Sequence, residues 1–190
     1  MPGISDPGAL LVQASYLESV PVTVLPGPTA SLSALVLSGI DSADFTFFGF
    51  LPTKKGAIKE MLAEHKDRKE TLIYYESPKR VKATLAIMME VFGEEREVSL
   101  IRELTKIHEE VVHGTLKELN ENLVDEVKGE CVIVIKGNTE AKKELSDDEL
   151  KKLIKKSLKE GKTLSEAVKE LQKDTGVKKN RLYQIGLTVK

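Results

Sequence analysis

The sequence predicts an α/β fold with a mixed β-sheet, followed by a small module made only of helices. Through residue 136, short runs rich in Val, Ile, Phe, Tyr and Thr alternate with helical patterns. Several connections between these runs are too short to hold a crossover helix, so some neighbouring strands must be antiparallel. Beyond residue 139 the sequence is rich in Lys, Glu and Leu and has no strand pattern.

Six segments are predicted as strands because β-branched and aromatic residues dominate them. They are residues 22–25, 45–50, 71–75, 98–102, 109–113 and 131–136. The helices between them have recognisable ends. Asp6 is predicted to cap a helix that begins at Pro7 and carries an apolar stripe of Leu10, Leu11, Ala14 and Leu17. Another helix, 81–92, is predicted to end at Gly93, a residue that tolerates the left-handed backbone after a helix.

The helical module is predicted to follow a linker at residues 137–140. Capping boxes mark helix starts in both parts of the chain: Thr115 with Glu118, Ser146 with Glu149, and Thr163 with Glu166. A third helix of the module is predicted after a turn at 174–176. Three short helices with a basic surplus resemble a helix-turn-helix module, although many small helical bundles bind nothing.

Charge is distributed unevenly along the chain. The formal net charge is −1, with 29 Lys and Arg against 30 Asp and Glu. Residues 139–190, however, carry 14 basic against 9 acidic residues, whereas the preceding part is acidic. This asymmetry is compatible with a polyanionic partner, and equally with a lysine-rich helical face that only contacts water.

Cysteine content and hydropathy exclude several classes of protein. A single cysteine, Cys131, rules out an internal disulfide and zinc sites of several cysteines, and no metal is expected. Cys131 lies in an apolar run, which predicts a buried core residue rather than a nucleophile. The sequence contains neither a signal-peptide pattern nor a stretch long enough to span a membrane, so we expect a soluble, cytoplasmic protein.

Four segments join loops to regular elements, which is where α/β proteins place ligands. They are residues 2–8, 26–31, 75–80 and 102–110. Each has a simple alternative interpretation. The first two would serve as ordinary helix starts, the third as a local ion pair between Glu76 and Arg80, and the fourth as a charged surface hairpin.

Taken in order, these segments resemble the tetrapyrrole methylase family, and within it the branch that acts on ribosomal RNA. The resemblance rests on five motifs: Pro-Gly-Ile-Ser-Asp-Pro-Gly, Leu-Pro-Gly-Pro-Thr-Ala, Phe-Phe-Gly-Phe-Leu-Pro, Tyr-Tyr-Glu-Ser-Pro-Lys-Arg and Arg-Glu-Leu-Thr-Lys-Ile-His-Glu-Glu. It covers nearly the whole chain, because that branch also ends in a small helical module. It implies the second α/β domain of the family fold, a remnant of the first domain, and a helix-turn-helix module.

The chain departs from the family at its start, where members have a further segment of roughly 80 residues. We therefore expect part of the cofactor floor to be absent, with an exposed sheet edge or apolar patch that favours self-association. The expected division is 1–40 for the end of the cofactor domain, 41–138 for the second domain and 139–190 for the helical module.

The resemblance implies a homodimeric enzyme that uses S-adenosylmethionine to methylate the 2′-hydroxyl of a cytidine in 16S ribosomal RNA of the small ribosomal subunit. By motif, the implied cofactor-binding residues are Gly3, Ile4, Thr29, Ala30, Tyr75, Glu76, Leu104 and Thr105. The candidates for the catalytic base are Glu76, Glu103, His108 and Glu109, with Arg80 or Lys106 as the stabilising cation.

RNA is expected to bind mainly through its phosphates. Two basic clusters follow the third and fourth motifs, and together they would form one rim: Lys54, Lys55 and Lys59 with Lys79, Arg80 and Lys82. Two alternatives remain open. The substrate could be a tetrapyrrole or a modified histidine, as in other branches, or the chain could be a non-catalytic RNA-binding or dimerisation fragment.

Overall fold

The computed structural model describes residues 1, 3–123, 127–139, 146–175 and 177–188. The chain divides into two compact units, Met1–Thr139 and Glu140–Lys190. The finer predicted division at residue 40 stays a prediction.

Ten helices and strands lie in the described residues of the first unit. They are α1 (Ala9–Leu17), α2 (Ala30–Ser38), β1 (Phe45–Phe50), α3 (Lys55–His65), β2 (Thr71–Glu76), α4 (Val81–Phe92), β3 (Glu97–Arg102), β4 (Glu110–Thr115), α5 (Leu116–Asn122) and β5 (Cys131–Ile135). Five of the six predicted strands are confirmed to within a residue or two at each end. The predicted helix 81–92 is confirmed as well, and Gly93 follows it with a φ of 95°.

The five strands form one mixed sheet in the order β1-β2-β5-β3-β4. β1 is parallel to β2, whereas β5 lies antiparallel between β2 and β3, and β4 is antiparallel to β3. The strands β1, β2 and β3 therefore run in one direction and β4 and β5 in the other. The carboxyl ends of the first three strands consequently lie at the same edge as the starts of β4 and β5, and the predicted mixed sheet is confirmed.

Helices cover both faces of the sheet. Successive residues of a strand point to opposite faces, so Leu72 and Tyr74 belong to the larger core cluster and Ile73 to the smaller one. The larger cluster packs α3, α4 and α5 against one face. The smaller cluster packs Ala34 and Leu35 of α2 against the other face. This two-sided burial explains why the strand sequences are nearly continuous apolar runs.

A buried polar pair lies within the larger layer. The Nδ1 atom of His65 is 2.9 Å from the hydroxyl oxygen of Tyr74, and the Phe48 ring stacks on the His65 ring with centroids 3.9 Å apart. Burial, with a smaller contribution from Arg68, lowers the pKa of His65 below its usual 6.5. The imidazole is therefore held neutral in the folded chain.

The stability of the first unit is expected to fall as the pH drops below about 6.5, because the unfolded chain then binds a proton that folded His65 resists. Above that pH both states are neutral at this residue and its contribution is unchanged. Urea unfolding at about pH 7.5 and about pH 5.5 measures the loss. The His65→Gln variant should show a smaller difference between the two pH values; an equal difference would assign the loss to other groups.

Two predictions for the N-terminal region are wrong. The segment 22–25 is not a strand, and Val24 and Leu25 are 69% and 85% exposed. A strand needs a partner for its backbone hydrogen bonds, and none of the described strands pairs with this segment. The first helix begins at Ala9 after Gly8, not at Pro7 after Asp6. The reason is local, because the positive φ values of Ser5 (57°) and Gly8 (145°) bend the chain before the helix starts.

The N-terminal helix exposes its apolar stripe. None of its residues is buried, and Leu10, Leu11 and Leu17 are 82%, 73% and 81% exposed. The expected apolar exposure is thus present, while self-association through it stays a prediction. No helix among the described residues is both long and apolar enough to cross a membrane.

Three helices lie in the part of the second unit that the structure describes. They are α6 (Asp147–Lys159), α7 (Leu164–Thr175) and α8 (Lys179–Leu187). All three predicted capping boxes of the chain form their reciprocal hydrogen bonds. Apolar residues from the three helices make a separate core around Leu150, Ile154 and Leu182. The predicted third helix is confirmed, but the predicted turn is wrong at Asp174 and Thr175, which belong to α7. Glu140 of the predicted linker and Gly176 of the predicted turn lie outside the described residues.

Candidate functional site

A cavity of about 560 Å³ opens at the sheet edge where β1, β2 and β3 end. The residues that line it come from six segments of the first unit: Met1, Ile4, Ser5, Asp6, Ala30, Phe50, Tyr75, Glu76, Ser77, Pro78, Glu103, Lys106, Gly129, Glu130, Cys131 and Val132. Each of the four ligand-binding segments predicted from sequence supplies at least one of them. The topology therefore brings together residues that are up to about 130 positions apart, at the edge where open α/β sheets bind ligands.

The start of α2 forms one wall of the cavity. Thr29 caps the helix, since its Oγ1 accepts a hydrogen bond from the Leu32 N–H at 3.2 Å. The Ser31 N–H donates to the Tyr75 hydroxyl oxygen at 3.0 Å, which ties the helix start to β2. Ala30 lies between these anchors, and first-turn N–H groups have no intrahelical acceptor. This wall can therefore offer a backbone donor to a ligand.

Glu76 lies at the end of β2 and is almost fully buried, with 1% exposure. Its Oε1 accepts from the Ser77 N–H at 2.7 Å and pairs with Arg80 at 2.5 Å, while its Oε2 accepts from the Thr84 hydroxyl at 2.8 Å. Both carboxylate oxygens are therefore engaged within the protein. This geometry suits a residue that fixes a loop better than one that takes a proton from a substrate.

Arg80 extends that arrangement to the neighbouring loop. Its guanidinium also donates to the carbonyl oxygens of Pro52 and Leu51, at 3.0 and 3.3 Å. The turn after β1 and the turn after β2 are thus held together through one side chain. The predicted ion pair of Glu76 with Arg80 is present, and it joins two of the motifs.

The loop between β3 and β4 forms the opposite wall. Lys106 Nζ donates to Glu103 Oε1 at 3.0 Å and to Glu130 Oε2 at 3.1 Å, and the Glu130 N–H donates to Glu103 Oε1 at 3.0 Å. Glu103 and Thr105 have φ values of 52° and 65°, which few residues other than glycine adopt. The cluster holds the loop in this unusual conformation beside the cavity.

This cluster also sets the charges of the cavity wall. The hydrogen bond from Lys106, followed by that from the Glu130 backbone, lowers the pKa of Glu103. The hydrogen bonds to Glu103 and Glu130 raise the pKa of Lys106. Both groups are therefore ionised around neutral pH, and Glu103 is a weak proton acceptor because its charged form is stabilised.

Sequence reasoning missed Gly129 and Glu130. Gly129 has a φ of 85°, and a Cβ at this position would overlap the Glu103 side chain. An isolated glycine before an apolar strand could have drawn attention to Gly129. Its contact with Glu103, however, joins residues that are remote in sequence. Cys131, which follows, is buried as predicted, and burial raises the pKa of its thiol to about 11.

The other predicted site residues lie around the cavity without lining it. Gly3 neighbours Gly8, and Thr29 is occupied as a helix cap. Leu104 packs in the smaller core cluster, whereas the Thr105 N–H donates to Glu109 Oε2 at 2.6 Å. The loop also carries His108, which is exposed. The roles implied for these residues stay predictions.

The predicted basic rim is partly neutralised. Lys55 and Lys59 face Glu90 at 4.0 and 3.2 Å. Lys54 and Lys79 make no ion pair with any part of the chain that the structure describes. Lys82 has a partner of its own, and Arg80 donates to the two carbonyls described above. The rim therefore has fewer available cations than its sequence indicates.

Comparison with known proteins identifies the family. Residues 1–120 match the family model described as tetrapyrrole (corrin/porphyrin) methylases. The chain belongs to the tetrapyrrole methylase family. The resemblance drawn from the five motifs and the α/β fold class are both confirmed.

Curated members of this family resemble the chain over most of its length. Ribosomal RNA small subunit methyltransferase I of Streptococcus pyogenes serotype M3 is 38% identical over 187 residues, and that of Halalkalibacterium halodurans is 39% identical over 190. Each alignment covers 97% of the chain and 65% of the relative. The Bacillus subtilis protein of the same name is 38% identical. The chain thus spans about two thirds of the length of these relatives.

Solved structures of other tetrapyrrole methylases share the fold. The methyltransferase CobJ superposes with a TM-score of 0.54 at 18% identity, over 72% of the chain and 61% of that protein. Uroporphyrin-III-C-methyltransferase of Thermus thermophilus gives 0.53 at 18% identity, over 71% and 60%. At this level of identity, the likeness concerns the fold alone.

Proposed function

We propose that this tetrapyrrole methylase binds S-adenosylmethionine in the cavity at the sheet edge and takes part in methylating the 2′-hydroxyl of a cytidine in 16S ribosomal RNA. The observation that carries the proposal is the convergence of four motif segments on one cavity. The substrate class is supported by the relatives at 37–39% identity that are named as ribosomal RNA small subunit methyltransferase I. We place the reaction in the cytoplasm, on a homodimer.

The lining of the cavity fits such a cofactor. Its volume of about 560 Å³ falls in the range of small-molecule sites. Acidic residues from three loops, Asp6, Glu103 and Glu130, line the cavity and suit a ligand that carries a positive sulfur and an ammonium group. The rings of Phe50 and Tyr75 add faces that attract cations. The backbone at Ala30 offers a donor for a carboxylate.

The chain itself would contribute position and charge. S-adenosylmethionine, when bound, supplies an electrophilic methyl group on a positively charged sulfur. The tethers from Ser31 to Tyr75 and from Arg80 to Leu51 hold the cavity walls before any ligand arrives. Such preorganisation is the main means by which a protein accelerates an in-line transfer. Lys106 lies on the cavity wall, but its hydrogen bonds to Glu103 and Glu130 leave this cluster with a net negative charge, which favours the positive sulfur of the cofactor.

Four residues were predicted as candidates for the general base. In the described structure, none of them both lines the cavity and has an atom available to accept the proton of the hydroxyl. Glu76 is saturated by internal donors, and Glu103 has a lowered pKa. Glu109 Oε2 accepts from the Thr105 N–H, and neither Glu109 nor His108 lines the cavity. We therefore assign the acceleration to alignment of the reacting oxygen, methyl group and sulfur, with the proton of the hydroxyl passing to water.

Calorimetric titration with S-adenosylmethionine tests the cofactor site. Ala30→Trp fills the cavity from the start of α2 and is expected to weaken binding at least about tenfold. Val36→Trp is the matched control, because Val36 lies on the same helix but is 77% exposed. Equal affinity for both variants would place the cofactor elsewhere.

Transfer of labelled methyl groups to small ribosomal subunits tests the substrate, with the Bacillus subtilis relative as positive control. A 2′-O-methyl group protects the adjoining phosphodiester from alkaline hydrolysis, so the label should appear in an alkali-resistant dinucleotide. Label in mononucleotides would indicate methylation of a base and contradict the proposal. Label in a tetrapyrrole but not in RNA would favour the alternative substrate class.

A further inference from the structure

The helix α6 carries a continuous positive face. Lys152, Lys155, Lys156 and Lys159 are all exposed and line one shallow surface depression together with Glu160. Their spacing of three, four and seven positions places them on one side of the helix. The opposite side packs Leu150 and Ile154 into the core of the module. We call these four residues the α6 lysine stripe.

No described acidic group pairs with the stripe, since Glu160 at its end pairs with Lys162 at 3.5 Å. The acidic residues of α6 lie in its first turn, and none occurs between residues 150 and 159. Within the described part of the chain, none of the four lysines has a carboxylate within 4 Å. A solvated helix face usually mixes both signs of charge. Lys151 on the same helix follows this usual pattern, because it pairs with Asp148 at 3.6 Å.

Helix stability does not explain the stripe. Like charges three and four positions apart on a helix repel each other, so the arrangement opposes the helix that carries it. The helix dipole favours lysines in the last turn, which accounts for Lys156 and Lys159 but not for Lys152 and Lys155. The other two helices differ, since Arg181 of α8 pairs with Asp147 at 2.9 Å and α7 intersperses its lysines with Glu166 and Glu170.

We infer that the α6 lysine stripe binds RNA phosphates. The inference rests on the proposed function for the choice of RNA, and it adds the contact surface. A stripe of four cations over about 10 Å, with no acceptor and no aromatic side chain among them, suits backbone charge rather than base edges. Helix-turn-helix proteins that read sequence do so with their second, recognition helix. In this module the first helix therefore supplies affinity without sequence preference.

The test compares two fourfold variants of the full chain that change the net charge equally. In the stripe variant, Lys152, Lys155, Lys156 and Lys159 are replaced by Gln. In the control variant, the same replacement is made at the ion-paired residues Lys117, Lys136, Lys151 and Lys162. The probe is a labelled single-stranded RNA of about 30 nucleotides, titrated at several salt concentrations.

A plot of log K against log salt has a negative slope. In the stripe variant the magnitude of this slope is expected to decrease by about 3, because each of the four lost phosphate contacts to a single strand contributes about 0.7. The affinity of the stripe variant should fall about 10- to 100-fold at about 100 mM salt, while the control variant changes the slope by less than about 1. An unchanged slope in the stripe variant, or an equal change in both variants, overturns the inference. Loss of binding to phosphatidylserine vesicles but not to RNA also overturns it and assigns the stripe to a membrane surface.

Different measurements test the proposed function and the RNA-binding role of the α6 lysine stripe. S-adenosylmethionine binding and methyl transfer by the unaltered chain report on the cavity of the first unit. The difference in salt slope between the stripe variant and the parent reports on α6, and circular dichroism of the stripe variant should retain the helical signal because Gln is a good helix former.

Discussion

Replacing Glu76 with alanine is expected to lower the free energy of unfolding by about 3 kcal/mol, whereas glutamine should cost only about 1 kcal/mol. Alanine leaves the Arg80 charge, the Ser77 N–H and the Thr84 hydroxyl without their shared acceptor. Glutamine keeps the shape and can direct its oxygen toward Ser77 and Arg80 and its amide toward the Thr84 hydroxyl. Urea unfolding of the three proteins measures the difference.

The same pair of variants distinguishes a positioning role from a catalytic one. If Glu76 holds the two turns together, Glu76→Gln should bind S-adenosylmethionine with nearly unchanged affinity and retain most of the methyl transfer. If its carboxylate takes the proton of the ribose hydroxyl, Glu76→Gln should bind the cofactor normally and lose about 10²- to 10⁴-fold in rate. The second result would contradict the assignment made from its hydrogen bonds. Thr84→Val provides a milder test, since it removes only the donor to Oε2.

Sequence reasoning located the regular elements because their signals are local. The capping box at Thr115 and the Gly93 helix end depend on neighbours within four residues, and both are present as predicted. The segment 22–25 failed because a strand depends on a partner elsewhere, which a propensity for Val and Thr cannot reveal. The sheet order was likewise out of reach, since β5 inserts between β2 and β3 from far along the chain.

The candidate site was predictable in outline but not in its internal contacts. The four segments were found because their motifs lie at loop ends, where the fold places ligands. The ion pair of Glu76 with Arg80 was visible as neighbours in sequence. The hydrogen bond from Arg80 to the Leu51 carbonyl was not visible in the sequence, because it depends on the parallel pairing of β1 and β2. The contact of Glu103 with Gly129 and Glu130 similarly required the β3–β5 pairing.

Gly137 shows how composition can mislead about a boundary. The sequence around it predicts a linker, because Gly, Asn and Thr are typical of flexible connections. In the structure Gly137 is buried, and the N–H of the following Asn138 donates to the Arg68 carbonyl oxygen at 2.6 Å. The residue therefore belongs to the packed end of the sheet. Its lack of a side chain permits close approach of two backbone segments.

Replacing Gly137 with alanine is expected to destabilise the first unit by about 3 kcal/mol. The added Cβ would overlap the carbonyl group of Lys69, and it would lie 2.6 Å from the Glu70 carbonyl oxygen. Both obstacles are backbone atoms. They cannot swing aside as a side chain could, because the next residue, Thr71, donates its N–H to the Asp44 carbonyl at 2.9 Å.

Gly56→Ala is the matched control for this variant. A Cβ at Gly56 meets nothing within 4 Å, and the residue lies in the first turn of α3, so alanine should leave stability unchanged or raise it by up to about 1 kcal/mol. A Gly137→Ala protein that unfolds at the same urea concentration as the parent would show that the two segments can separate at little cost.

The Gly137→Ala and Glu76→Ala variants should differ in their affinity for S-adenosylmethionine. Gly137 follows the end of β5, at the sheet edge opposite the cavity, whereas Glu76 lies at the cavity edge. Below its unfolding transition, Gly137→Ala should therefore bind S-adenosylmethionine with parental affinity, because it removes stability without moving the turns that form the cavity. Glu76→Ala should weaken binding even where it is folded, since Arg80 then loses the partner that holds it to the turn after β1. Equal loss of affinity in both folded variants would mean that the cavity responds to the stability of the whole unit rather than to the contacts at its edge.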